Sequence, residues 1–83
     1  MHKDLDSFTE NLVKSIALEP DLVKVQEFNS DDDVIQLEIL VTESDMPRVI
    51  GKSGRMAKAI RTLVQAMAYN KGINKIRINI DSF

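Results

Sequence analysis

The sequence holds no cysteine and no tryptophan. Without thiols there is no disulfide framework and no thiolate metal site, as in proteins of a reducing compartment. One histidine is present, His2, at a position where a chain end is expected to fray. A lone imidazole there offers neither a metal-ligand pair nor a positioned base. Aromatics are few, namely Phe8, Phe28, Tyr69 and Phe83, and none lies near a glycine-rich loop. A ligand held mainly by base stacking is therefore not expected. No apolar run approaches the ~20 residues needed to cross a bilayer. The opening MHKDLDSF lacks the basic-then-apolar layout of a secretory signal. The expected location is the cytoplasm, with no membrane partner. No repeat, linker or low-complexity tract divides the 83 residues, so one domain over residues 1–83 is expected. That length is near the lower limit for a self-sufficient core, which 43% hydrophobic residues can supply.

Acidic residues are almost missing from the second half. Residues 1–45 carry twelve acids and three bases, a net of −9, whereas residues 46–83 carry eight bases and one acid, Asp81, a net of +7. The overall charge of −2 hides this split. Five bases (Arg48, Lys52, Arg55, Lys58 and Arg61) stand between positions 48 and 61 with no acid among them. The basic half suits an anionic partner.

Hydrophobic periodicity places the elements. Leu5, Phe8, Leu12 and Ile16 recur at three- and four-residue steps, predicting a helix over Asp4–Leu18 that starts at Asp4 or Asp6 and is stopped by Pro20. Leu22–Phe28 reads as a strand, NSDDD (Asn29–Asp33) as a turn, and Val34–Val41 as a second strand whose Ile35, Leu37, Ile39 and Val41 face inward. The two form an antiparallel hairpin. Asp31–Asp33 lacks the oxygen spacing of a calcium loop and reads as a polar turn. Glu43–Ile50 reads as a short helix capped by Thr42 or Ser44, with Pro47 in its first turn and Gly51 after its end. Arg55–Tyr69 reads as a longer helix with Met56, Ile60, Leu63, Val64 and Met67 as its core face. Small residues along another edge (Ala59, Thr62, Ala66, with Tyr69) make a candidate dimer surface or an ordinary exposed face. Ile73–Ile80 reads as the last strand, with Ile76, Ile78 and Ile80 inward. The fold class is α+β, an α/β sandwich of order α-β-β-α-α-β, with a three-stranded mixed sheet and three helices on one face.

Between the last two helices lies VIGKSGR, Val49–Arg55. Its GKS matches the end of a nucleotide-binding P-loop, G-x-x-x-x-G-K-[ST]. The first glycine of that motif falls on Met46, and a helix rather than a strand precedes the loop, so the nucleotide reading fails. As G-x-x-G between two helices the segment makes better sense. Gly51 and Gly54 allow a sharp bend and close approach of another backbone. The following helix presents free N–H groups and the positive end of its dipole. Lys52 supplies a point charge and Arg55 a fork for phosphate oxygens. Ser53 has no neighbouring base to make it a nucleophile. No paired acid and base and no metal cluster suggest an enzyme, and no cofactor is implied.

The run Val49-Ile50-Gly51-Lys52-Ser53-Gly54, with Ile60 beyond it, resembles the KH domain, whose core reads V-I-G-x-x-G followed by a spaced aliphatic residue. Ala57 departs from the isoleucine often found there. The helix–strand–strand beginning resembles the type II, prokaryotic arrangement. The chain as a whole is similar to the small bacterial single-KH RNA-binding proteins of the KhpA family, above all in VIGKSGRMAKAIRTLVQA. The resemblance implies RNA binding without catalysis, in an RNA chaperone or post-transcriptional regulator. It also implies pairing with itself or with the larger KH-containing protein KhpB. Single-stranded RNA would lie with its phosphates on Gly51, Lys52, Ser53, Gly54 and Arg55, with charge added by Arg48 and Lys58. Its bases would lie on a floor of Val49 and Ile50, with Leu40 or Val41 at the strand side. Arg48, Lys58 and Arg61 are equally well read as a solvated helix face. The competing function is a protein-interaction module that keeps the fold and has little affinity for RNA.

Overall fold

The computed structural model describes residues 2–30 and 32–83; Asp31, in the expected turn, lies outside them. The elements are α1 (Lys3–Lys14), β1 (Lys24–Asn29), β2 (Ile35–Val41), α2 (Met46–Ile50), α3 (Arg55–Asn70) and β3 (Ile76–Ser82). Single 3-10 turns cover Pro20–Leu22, Glu43–Asp45 and Lys52–Gly54. The sheet order is β1-β2-β3. β1 pairs antiparallel with β2, and β2 pairs parallel with β3, so the sheet is mixed. A parallel neighbour requires a long crossover, and the α2–loop–α3 unit provides it. The site is thus built into the connection that the topology demands.

Strict alternation along β2 buries Ile35, Leu37, Ile39 and Val41 and leaves Gln36, Glu38 and Leu40 on the opposite face. Over the buried face lie Leu5, Thr9 and Val13 of α1 and Ala57, Ile60, Val64 and Ala68 of α3. This corrects the expected core face of α3. Ile60 and Val64 are buried as expected, but Met56 and Leu63 are exposed, and alanines take their places against the sheet. Small residues let the helix axis approach closely, and the larger ones stand outside.

Several boundaries also differ: β1 begins at Lys24, two residues late, with Leu22 in a 3-10 turn, and the helix expected over Glu43–Ile50 divides into a 3-10 turn, Glu43–Asp45, and α2. Helix α1 ends at Lys14, four residues early, where Ser15 Oγ donates to Leu12 O at 2.6 Å and competes with the helical pattern. Its start is flanked by His2 with no side-chain cap, while Asp4 and Asp6 lie within the first turn. β3 begins three residues late. Gly72 at φ 81° turns the chain after α3, and Ile73 N–H donates to Ala68 O at 2.9 Å, spending Ile73 on the helix end.

His2 is pinned rather than frayed: its backbone N–H donates to Glu27 Oε1 at 3.3 Å, and its Nδ1 lies 2.8 Å from Glu27 Oε2. Asp6 of α1 faces the same carboxylate, and its Oδ1 is buried without a hydrogen-bond partner. Burial first, then hydrogen bonding and repulsion from Glu27, raise the Asp6 carboxyl to about 6. A raised acid holds its proton more tightly folded than unfolded, so stability falls as pH climbs from the ordinary carboxylate range through about 6. Glu27 shifts the other way. Burial opposes that shift, but the His2 and Asp6 hydrogen bonds outweigh it, so Glu27 acts only at lower pH. Asp6→Asn, which keeps a donor toward Glu27 without the charge, is expected to leave stability unchanged near pH 4 and to raise it near pH 7.5. A shift of that size is worth about 3 kcal/mol when fully buried; at this partly exposed site about 1 kcal/mol is expected. Urea midpoints at the two pH values measure the difference, and an equal effect at both refutes the assignment.

Candidate nucleic-acid interface

The loop between α2 and α3 is left-handed at three of its four positions. Gly51 sits at φ 77°, ψ 175°, Ser53 at φ 57°, ψ 26°, and Gly54 at φ 76°, ψ 11°. The combination at Gly51 belongs to a region that essentially only glycine occupies. The bend is closed by Gly51 N–H donating to Pro47 O at 2.9 Å and Gly54 N–H to Gly51 O at 3.2 Å. Successive N–H groups in such conformations form a concavity that accepts anions. The 16-residue α3 follows at once, its first turn without a side-chain cap and without an acidic residue. Its positive end is therefore uncompensated. Lys52, Ser53, Arg55 and Lys58 are exposed around this end. Among the described residues, Lys52, Arg55 and Lys58 enter no ion pair.

A buried carboxylate steadies the near side of the loop. Asp45 is 0% exposed. It accepts from Leu18 N–H at 2.8 Å and Glu19 N–H at 3.0 Å, while Thr42 Oγ1 caps the turn by accepting from Asp45 N–H at 3.3 Å. Those donors, Leu18 first, hold its carboxyl below the ordinary range against the opposing effect of burial. Arg48 reaches the same segment, Nε donating to Ile16 O at 2.9 Å. Together they staple α2 to the chain that leaves α1. Asp45 was missed as a supporting residue, although Thr42-Glu43-Ser44-Asp45 carries the T-x-x-D signature of a helix start.

The expected site residues therefore fall into two groups. Gly51, Lys52, Ser53, Gly54, Arg55 and Lys58 converge on the loop and the first turn of α3. Arg48 is tethered by one nitrogen to Ile16. Val49 is 0% exposed and packs in the core, so its side chain is closed to a ligand; Ile50 is half-buried next to it in the chain. Val41 is equally buried, and Leu40 is on the far face of the sheet, because alternation along β2 sends neighbouring residues to opposite sides. On β3, Ile76 and Ile78 are half-buried and pack against the core. Arg61, weighed as a solvated base, bridges from α3 to that strand, its Nε donating to Ile78 O at 3.3 Å.

Helix α3 thus has three longitudinal faces. Ala57, Ile60, Val64 and Ala68 are buried. Arg55, Lys58 and Arg61 form a basic ridge at three-residue spacing. Met56, Ala59, Leu63 and Ala66 form an exposed apolar stripe. No helix among the described residues is long and apolar enough to cross a membrane, and no group of metal-ligating side chains is assembled there.

Residues 6–80 match the family described as KhpA/KhpB, KH domain. Relatives named RNA-binding protein KhpA include one from Clostridium acetobutylicum, 48% identical over 71% of this chain and 77% of its own length. One from Clostridium perfringens is 44% identical over 77% of this chain and 84% of its own. One from Halalkalibacterium halodurans is 36% identical over 92% of this chain and 97% of its own. Among solved structures, Era in complex with MgGDPNP and nucleotides 1506–1542 of 16S ribosomal RNA aligns with a TM-score of 0.61 at 22% identity. It covers 94% of this chain, which spans only 29% of that one. A single-residue variant of Aquifex aeolicus Era bound to GDP and aluminium fluoride aligns with a TM-score of 0.60 over the same shares. At that identity the likeness concerns the fold. The family match across nearly the whole chain, together with the observed α-β-β-α-α-β order, places this chain in the KhpA/KhpB KH-domain family, a non-enzymatic one.

Proposed function

We propose that this protein, as a single KH domain over residues 1–83, binds single-stranded RNA by clamping its sugar–phosphate backbone in the Gly51–Gly54 loop. It works in the cytoplasm as an RNA chaperone or post-transcriptional regulator. The observation that carries this reading is the loop itself: three left-handed residues opening onto an uncapped helix free of acids in its first turn, with Lys52 and Arg55 outside any described ion pair beside it. The names of its relatives support the ligand class. Phosphates meet the loop N–H groups, Lys52, Ser53 and Arg55, with Lys58 and the free nitrogens of Arg48 as outer charge. Bases turn toward the half-buried Ile50. KH folds hold about four nucleotides in this way.

The exposed stripe on α3 favours a second contact. Leu63 is 49% exposed and lies in line with Met56, Ala59 and Ala66. Small residues flanking a large one suit close helix pairing, so this face serves a homodimer or a heterodimer with KhpB. Two sites held together raise the avidity of weak single-domain binding. The same stripe is the observation behind the alternative, an interaction module with little RNA affinity.

Titration of a fluorescent single-stranded oligoribonucleotide separates the two. Three phosphate contacts predict a loss of affinity of roughly 20-fold between about 50 and about 200 mM salt. Weaker binding of the duplex of the same length is also expected. No binding at the lower salt, or affinity insensitive to salt, supports the interaction module.

A further inference from the structure

The basic ridge of α3 does not end in solvent. β3 is an outer strand of the sheet. Along a strand, the N–H and C=O of successive residues point alternately to one side and the other. Lys75 O accepts from Ile35 N–H of β2 at 2.9 Å, so the odd-numbered residues of β3 turn toward β2. Ile76, Ile78 and Ile80 consequently turn their backbone groups to the open edge. Among the described residues, one side chain bonds to that edge, Arg61 through Nε to Ile78 O at 3.3 Å. Arg61 lies seven residues beyond Gly54, about 10 Å along the helix axis. A strand of about four nucleotides leaving the loop along Arg55 and Lys58 reaches it.

We infer that Arg61 is a specificity-determining residue, which selects a base with two hydrogen-bond acceptors on one edge, guanine over adenine, at the open edge of β3. The inference rests on the RNA-clamp reading above. At Arg61 the edge presents donors, because the outward carbonyl there, Ile78 O, is already taken by Nε, whereas the carbonyls of Ile76 and Ile80 lie two residues away along the strand. With Nε tied to Ile78 O, the guanidinium plane is fixed and its two terminal nitrogens remain, donors only. Arg61 has no acidic partner among the described ion pairs that would occupy them. The neighbouring N–H of Ile78 adds a further donor on the same edge. Guanine presents O6 and N7 to such a fork, whereas adenine presents N7 beside an amino group that meets donor with donor. A guanidinium held in place before binding loses little freedom on docking, so the difference between bases is expressed rather than averaged away. Phosphate contacts at the loop carry no such information.

The test uses hexauridylate in which one residue, moved through each position, is replaced by guanosine or by adenosine. The intact protein is expected to bind its best guanosine hexamer about tenfold more tightly than the matching adenosine hexamer. Arg61→Lys keeps the charge and loses the planar fork. It is expected to retain the affinity for unsubstituted hexauridylate and to bring the guanosine-to-adenosine ratio close to one. A ratio near one in the unaltered protein, or a ratio that survives in Arg61→Lys, overturns the inference and leaves the clamp standing. A loss of hexauridylate affinity as large as the loss on the guanosine hexamer makes Arg61 a structural strut and also overturns it. Failure of the unaltered protein to bind any hexamer removes the clamp and the base choice together.

Discussion

Gly51→Ala is expected to destabilise the fold by about 3 kcal/mol, as the sum of a backbone cost and a collision. At φ 77° and ψ 175° a residue with a Cβ is in a region that costs about 1–3 kcal/mol. The added carbon would also lie 2.7 Å from Met56 Cβ and 2.8 Å from Met56 N. The second of these is backbone in the first turn of α3, and no rotamer change relieves it. To make room, α3 must shift along the sheet on which Ala57 and Ile60 are packed. Gly54 provides the control. It is also left-handed, at φ 76°, but nothing lies within 4 Å of its Cβ position. Gly54→Ala is expected to cost about 1 kcal/mol, the left-handed penalty alone. For a domain whose whole stability is on the order of 5–15 kcal/mol the first loss is large and the second modest. Urea unfolding followed by circular dichroism reads both. Equal costs at the two positions refute the view that close approach of α3, rather than chain flexibility, requires the first glycine.

Much of this architecture was legible because single residues repeat with the period of their element. The alternation Ile35-Leu37-Ile39-Val41 fixed the buried face of β2, and the polar turn before it fixed an antiparallel partner. The glycines of the loop and the bases around it were equally plain, since both stand out against an otherwise aliphatic stretch. What escaped depends on distances that periodicity does not carry. Met56 and Leu63 are as apolar as any core residue, but Ala57 and Ala68 take the face of α3 that lies against the sheet, and the larger side chains lie outside. Hydrophobicity marks a residue for exclusion from water without saying whether its own domain or another chain will do it. Thr9 is buried in α1 because its hydroxyl donates to Leu5 O at 2.8 Å, which removes the cost of burying it. Arg48 and Arg61 look alike in the sequence and differ in the fold: one ties α2 to Ile16, the other spans to Ile78 on the rim of the sheet. A long cation finds a backbone carbonyl only once the chain has been brought back upon itself.

The double replacement Lys52→Asp with Ser53→Asp is expected to abolish RNA binding and to leave the fold unchanged. Both side chains are exposed, and neither makes a hydrogen bond or ion pair among the described residues. Ser53 is at φ 57°, and aspartate is among the few non-glycine residues that tolerate this conformation. Carboxylates ahead of α3 also meet the positive end of its dipole, which favours the folded state by a few tenths of a kcal/mol. Stability is therefore expected to change by less than about 0.5 kcal/mol. For the ligand the same change is severe. The loop charge falls by three units, and the new carboxylates occupy the N–H groups that a phosphate would use. Each like charge at contact distance costs about 1 kcal/mol even in water; with the lost lysine contact the sum is about 3 kcal/mol, or roughly 100-fold in affinity. Circular dichroism and urea midpoints check the fold, and titration with the single-stranded oligoribonucleotide checks the site. Since the exposed stripe of α3 is untouched, the pairing proposed for it is expected to be unaffected, which separates the two surfaces of that helix. If the double variant binds RNA as the unaltered protein does, the left-handed loop is not where the backbone is held, and the apolar stripe becomes the better guide to what this protein does.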